Sequence, residues 1–148
     1  MTARKKKFKK RSGTNSWQPS SSLVLFLDEN TTSSQVVTAL REIGFKVEVH
    51  RDHFKPGTSD PEWLTALAKY GWTAISRDKR LRYRPNEIQT IRATQARVVI
   101  VTGGNLSAGD LANLLKKFAK KLSSFLEANP GPLLATFTQS GAITKHHQ

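Results

Sequence analysis

Cysteine is absent from this 148-residue chain, which removes disulfides, thiolate metal sites and cysteine nucleophiles together. Histidine is scarce as well, with four copies. Two of these, His146 and His147, stand at the carboxyl end, where a tag-like or frayed tail is the plain reading. Zinc is therefore not expected, and any metal must be a hard cation held by oxygen. No apolar run approaches the roughly 20 residues of a membrane span. The stretch 23–27 is too short for the apolar region of a signal peptide and follows a long polar segment. No membrane partner is expected, and the expected location is the cytoplasm.

Acid is the scarcer charge: eleven Asp and Glu stand against 24 Lys and Arg, for a net charge of +13. The excess is uneven, because residues 1–22 (MTARKKKFKKRSGTNSWQPSSS) hold seven basic residues and no acid. That composition reads as a disordered basic arm ahead of a single domain over residues 23–148, serving either as a nucleic-acid tether or as a solubilising extension. A basic balance favours polyanions through counterion release, so RNA is a plausible partner, but charge alone says nothing of catalysis.

From residue 23 onward strands and helices alternate. Residues 23–27 (LVLFL) form a continuous apolar run closed by Asp28-Glu29-Asn30, the pattern of a strand buried on both faces. Val36, Val37, Leu40 and Ile43 have helical spacing, and Gly44 stops the helix. Residues 45–49 read as a second strand. Ser59-Asp60-Pro61 then opens a helix that carries Trp63, Leu64 and Leu67, with Ser59 or Asp60 as its cap. Residues 72–76 form a third strand, 85–93 a short helix and 97–102 (RVVIVT) a fourth strand. Ser107 with Asp110 resembles a capping box at the head of one long helix running to Asn129-Pro130. Residues 133–138 form a fifth strand, and Ser140-Gly141 suits the turn of a short hairpin. The repeated order predicts an α/β domain with a mainly parallel five-stranded sheet, right-handed crossovers and helices on both faces.

In such sheets ligands bind beyond the carboxyl ends of the strands, and three acidic groups fall there. Asp28 and Glu29 end the first strand, Asp78 follows the third, and Asp60 begins a helix entered from the second. Converging carboxylates resist joint ionisation unless a cation sits between them. Mg²⁺ takes one or two carboxylates with waters and phosphate oxygens, which suits so sparse a set. Against this, Asp60 is explained as a helix cap and Asp78 as an ordinary loop residue. Glu42, Glu48, Asp52, Glu62, Glu87, Asp110 and Glu127 read as solvated or capping residues. Arg77, Lys79, Arg80, Arg82 and Arg84 crowd around Asp78 with Tyr83 among them, a set able to neutralise phosphates and stack on a base, or simply a solvated loop. His50 and His53 lie in a polar loop. Gly103-Gly104 offers backbone amides but lacks a full phosphate-loop pattern.

The segments 23–30 (LVLFLDEN), 40–49 (LREIGFKVEV), 57–64 (GTSDPEWL), 71–79 (GWTAISRDK) and 98–107 (VVIVTGGNLS), in that order, resemble the compact PIN-like domains related to VapC-type toxin ribonucleases. The resemblance covers nearly all of residues 23–148. It implies a three-layer Rossmann-like domain and a Mg²⁺- or Mn²⁺-dependent endoribonuclease, the toxin of a toxin–antitoxin pair, with an antitoxin partner and a homodimer. It also implies that Asp28, Asp60 and Asp78 are metal ligands and catalytic acids, with Glu29 as a fourth. Asn30 would orient the cluster or the substrate, and Arg77, Lys79, Arg80 and Arg82 would meet the RNA. The sequence departs from the larger PIN pattern in having no clear glutamate on a middle helix, which leaves the fourth acid open between Glu29, Glu42 and Glu87.

Two other functions compete with the nuclease. A non-catalytic RNA- or ribosome-binding module of the same fold would use these acids structurally. A phosphoacceptor receiver-like domain also places acids after its first and third strands, but here no lysine follows the last strand until Lys145, and basic residues crowd Asp78.

Overall fold

The computed structural model describes residues 17–146; the sequence expectations for residues 1–16 and for His147 lie outside them. Short runs of β-branched and aliphatic residues build the strands β1 (Val24–Leu27), β2 (Lys46–Val49), β3 (Thr73–Ser76), β4 (Arg97–Val101), β5 (Leu133–Phe137) and β6 (Ile143–Lys145). Between them lie α1 (Ser34–Ile43), α2 (Asp60–Tyr70), α3 (Pro85–Thr94), α4 (Ala108–Lys117) and α5 (Ala119–Ala128). The strands join in one sheet, in the order β2-β1-β3-β4-β5-β6. The first five are parallel and β6 is antiparallel to β5. The expected fold is present with one strand more than the five anticipated: Gly141, at φ 87°, turns the chain back so that β6 covers the edge of β5. A very short strand at the edge of a sheet offers other chains little to pair with.

Alternate residues of each central strand feed two separate cores. Leu25, Leu27, Ile75, Val99 and Ala135 pack with α1, α4 and α5 on one face. Phe26, Ala74, Val98, Ile100 and Leu134 pack with α2 and α3 on the other. Both β3–α3–β4 and β4–(α4, α5)–β5 step the same way along the sheet, yet their helices lie on opposite faces. They therefore have opposite hands, so the expectation of uniformly right-handed crossovers fails for one of them. The single long helix expected after Ser107 is two helices broken at Phe118, whose ring packs edge-on against Phe137 at 5.9 Å.

Trp17, placed by composition in the arm, stands edge-on to Phe45 at 6.4 Å and packs on the α1-side core. His146, expected in a frayed tail, contacts the Thr136 hydroxyl at 2.9 Å, and its backbone N–H donates to the Leu134 carbonyl. No helix among the described residues is long and apolar enough to cross a membrane.

The order of the strands locates the cleft. From β1 the chain moves to β2 on one side, then passes over to β3 on the other. Loops leaving the carboxyl ends of β1 and β3 thus diverge, and an open α/β sheet binds its ligand in the crevice this creates.

Candidate active site

Asp28 is the first residue past β1 and is buried, with 6 % of its surface exposed. It sits there because its carbonyl accepts hydrogen bonds from the N–H groups of Thr31 and Thr32, both at 3.1 Å, and from the Thr32 hydroxyl at 2.7 Å. This tight turn aims the chain into α1, whose free amides are capped by Ser33. The carboxylate points toward β3. Its Oδ2 accepts from the Ser76 hydroxyl at 2.5 Å, and Ser76 Oγ in turn accepts from the Asp78 N–H at 3.0 Å. Oδ1 is buried without a well-formed hydrogen bond. Burial raises the Asp28 pKa above the ordinary aspartate value; Ser76 and Thr31 oppose the rise, and the nearby charge of Asp78 adds to it. A charged oxygen left without a partner inside a protein is costly, so this carboxyl is suited to a cation.

Asp78 caps a 3-10 turn (Lys79–Arg82). Its Oδ1 accepts from the Arg80 N–H and Nε, each at 3.0 Å, and Oδ2 from Nη2 at 3.4 Å. That hydrogen bonding raises the Arg80 pKa, with the charge of Asp78 and, more weakly, of Asp60 in support. Asp60 is not the helix cap. Ser59 takes that role by accepting from the Glu62 N–H at 3.4 Å, so the Asp60 carboxylate is free to bind Trp63 Nε1 at 2.9 Å and to face Arg84 Nη1 at 3.6 Å. The same Arg84 nitrogen lies 3.4 Å from Glu87 Oε2. Glu87 is buried at 7 % exposure, which corrects its reading as a solvated residue.

The acids therefore form a chain and not a shell. Asp28 reaches Asp78 through Ser76, Arg80 joins Asp78 to the field of Asp60, and Arg84 ties Asp60 to Glu87. Glu29 stands apart, with Oε1 3.4 Å from the Gly57 N–H and 3.7 Å from His50 Nε2. Glu42 lies in the groove between α1 and α4. Of the three choices left open for a fourth acid, Glu87 is the one linked to Asp60. Among the described residues no three acidic or histidine side chains meet as a set able to hold a metal. The donors fit a hard divalent cation in kind, since Asp28 offers an unsatisfied buried oxygen beside Asp78, and one or two carboxylates suffice for Mg²⁺ when waters and phosphate complete the shell. The other two acids of the chain, Asp60 and Glu87, share Arg84 as their partner.

Arg77 is committed to the fold. Its backbone N–H donates to the Thr31 hydroxyl at 3.0 Å, Nη1 to the Leu106 carbonyl at 2.7 Å and Nη2 to the Asn30 carbonyl at 2.9 Å. Lys79 and Asn30 are exposed. Arg82 lies over the Tyr83 ring at 5.2 Å. The histidines belong elsewhere: buried His50 packs on Phe26 and Phe54, and His53 pairs with Glu48 at 2.7 Å. Sequence reasoning missed Ser76 and Thr31, both buried hydroxyls. Ser76 closes an apolar strand two residues before an acid, which is a weak but readable signal.

No solved structure matches the chain significantly. A Mycobacterium tuberculosis protein named "Putative ribonuclease VapC45" is 27 % identical over 125 residues, which is 80 % of this chain and 88 % of that protein. The sequence pattern of the PIN like domain matches residues 23–103, the span that runs from β1 through the Asp28–Asp78 crevice to the loop beyond β4. With more than half its length matched, the chain belongs to the PIN-like domain family.

Proposed function

We propose that this protein is a metal-dependent endoribonuclease, the toxin of a toxin–antitoxin pair, that hydrolyses RNA phosphodiesters at the crevice between β1 and β3. The observation that carries the reading is Asp28: a buried carboxylate with one unsatisfied oxygen, at the switch point of the sheet, beside a second carboxylate. Mg²⁺ or Mn²⁺ bound there would polarise the phosphodiester and lower the pKa of a water. Asp28 and Asp78 would hold the ion, with Asp60 and Glu87 next along the chain of acids and Glu29 outside it. Ser76 fixes the Asp28 carboxylate and the turn carrying Asp78, while Arg80 orients the Asp78 carboxylate itself. The M. tuberculosis relative's name supports the ribonuclease assignment; the antitoxin partner and the homodimer follow from the family resemblance.

A second reading, an RNA-binding module without catalysis, draws on Arg80 and Arg84, which already neutralise Asp78, Asp60 and Glu87. One experiment separates the two. Single-stranded RNA incubated with the protein and Mn²⁺ is expected to be cut, and cutting is expected to vanish in Asp28→Ala and Asp78→Ala variants that keep the native circular dichroism. A folded parent protein that binds RNA yet neither binds Mn²⁺ by calorimetry nor cuts a broad RNA pool establishes the binding module instead.

A further inference from the structure

Arg97 is the first residue of β4 and so stands at the amino edge of the sheet. The catalytic crevice lies at the other edge, the length of a strand away, roughly 16 Å. Arg97 is half-buried, and among the described residues its guanidinium donates only to the Leu126 carbonyl near the end of α5. Its Nε is buried and donates to nothing, and it forms no ion pair among the described residues. Burial lowers its pKa from the ordinary arginine value, because a charge taken out of water is disfavoured when no opposite charge answers it. Thr73, its register partner on β3, is fully buried with its hydroxyl also unbonded. Two unmet polar groups therefore stand side by side.

A pocket of about 390 Å³ opens at this arginine, within the range of ligand sites, roughly 300–1,000 Å³. Its walls are the turn leading into β1, with Ser20, Ser22 and Leu23, and the end of α5, with Leu126 and Glu127. The Ser20 and Ser22 hydroxyls lie 2.8 Å apart, so one donates to the other and the second keeps its hydrogen for a third group. The Leu23 N–H donates to the Ser20 carbonyl at 3.1 Å, which closes the turn. A Cβ at Gly131 would fall 1.8 Å from the Gln95 carbonyl oxygen, so the segment entering β5 is pressed onto the one entering β4. A site whose walls are fixed before binding loses less entropy when a ligand arrives. All seven basic residues of 1–22 precede Trp17. Trp17 packs on Phe45, just ahead of β2, so their charge joins the fold at this same edge.

We propose that this pocket binds one backbone phosphate of an RNA strand, at the edge of the sheet opposite the catalytic crevice, with Arg97 and the Ser20–Ser22 hydroxyls as its donors. Arg97 supplies the charge and its outer N–H groups, a geometry that matches phosphate oxygens. A lone carboxylate would also suit the arginine. A polyanion fits better, because the basic residues ahead of Trp17 can neutralise the phosphates on either side and release their counterions. Glu127 opposes the anion and keeps the site weak. The inference shares the RNA partner of the reading above and none of its chemistry.

The test uses the full chain in EDTA, with inorganic phosphate titrated by NMR and labelled single-stranded RNA followed by anisotropy over a range of salt. Phosphate is expected to shift the Arg97 Nε–H and Ser22 N–H resonances and to compete with the RNA. Ser22→Glu, at an exposed position, should melt near the parent, abolish those shifts and weaken RNA about tenfold. Arg97→Gln should lower the slope of log affinity against log salt by about 0.7. Glu127→Gln should tighten both ligands about threefold. Arg97 resonances that ignore phosphate overturn the site, as does a Glu127→Gln variant that melts lower and binds phosphate no better, which marks a plain ion pair. Phosphate shifts with RNA affinity unmoved in both Ser22→Glu and Arg97→Gln leave a site for free phosphate and overturn its assignment to RNA. A protein that binds RNA through Arg97 but never cuts it keeps this site and loses the nuclease. A parent protein that binds no RNA overturns both.

Discussion

The two helical layers on either side of the sheet are built from the same kinds of residue but do different work. The layer of α1, α4 and α5 meets its core through aliphatic residues such as Val36, Leu40, Leu111, Leu115, Leu122 and Leu126, and buries no acid. The layer of α2 and α3 buries Trp63, Leu64, Leu67 and Ile91 and also brings Asp60 and Glu87 to one edge, joined by Arg84. One layer is a support and the other a support that carries ionic chemistry. The difference follows from which loops it serves, since α2 and α3 flank β3 and its Asp78, whereas α1 begins only after the turn that follows Asp28.

The contrast breaks first in the supporting layer. Leu111→Ala, at a fully buried position, is expected to cost about 2–5 kcal/mol in chemical denaturation and to leave Mn²⁺ affinity in the folded fraction unchanged. A small cost there means the layer collapses around the gap and is not the rigid support described. Glu87→Gln sharpens the other side. The amide keeps the size and an acceptor for Arg84, so the fold should hold, while Mn²⁺ affinity by calorimetry falls about 10–100-fold if Glu87 supports the ion's ligands. An unchanged affinity assigns Glu87 to a purely structural pair with Arg84. A smaller effect compares the helix starts. Ser33→Ala and Ser59→Ala each remove an N-cap acceptor, from the Val36 and Glu62 N–H groups, and each is expected to cost about 1 kcal/mol. Only Ser59→Ala should also lower cleavage, because it frees the first turn of α2 where Asp60 sits.

The same contrast accounts for what could be read from sequence. Periodicity located α1 and α2, their glycine stops and every parallel strand to within a residue or two, because those signals are local. Asp28 and Asp78 stood out because an acid just past a buried strand has to lie at the carboxyl edge of the sheet. Glu87 did not, since its link to Asp60 runs through Arg84, which pairs locally with Glu87 but reaches Asp60 in a distant part of the chain that no local pattern encodes. Arg77 looked like a phosphate ligand by charge, yet its guanidinium is taken by two carbonyls from loops 47 and 29 residues away in the chain. The break at Phe118 was invisible for a similar reason: apolar spacing continues through it, and the interruption is set by the ring packing on Phe137.

The subtlest comparison lies within Asp28 itself, between its role as ligand and its cost to the fold. Burial raises its pKa above the usual 3.8, so the folded protein disfavours the ionised form. Below the unfolded value both states keep the proton and no penalty applies. As pH climbs between that value and the raised one, the unfolded chain ionises first and stability falls. Above the raised value the penalty is complete and constant. Asp28→Asn preserves the side-chain size and an acceptor for Ser76 while removing the charge. In EDTA the variant is expected to melt above the parent at pH 7, with the gap closing as pH is lowered toward 3.8. With Mn²⁺ present only the parent should gain stability, because an ion that binds the folded state alone shifts the equilibrium toward it. A variant that melts below the parent at pH 7 in EDTA would mean that Asp28 is satisfied within the fold, and an ion would then have no unmet charge to answer.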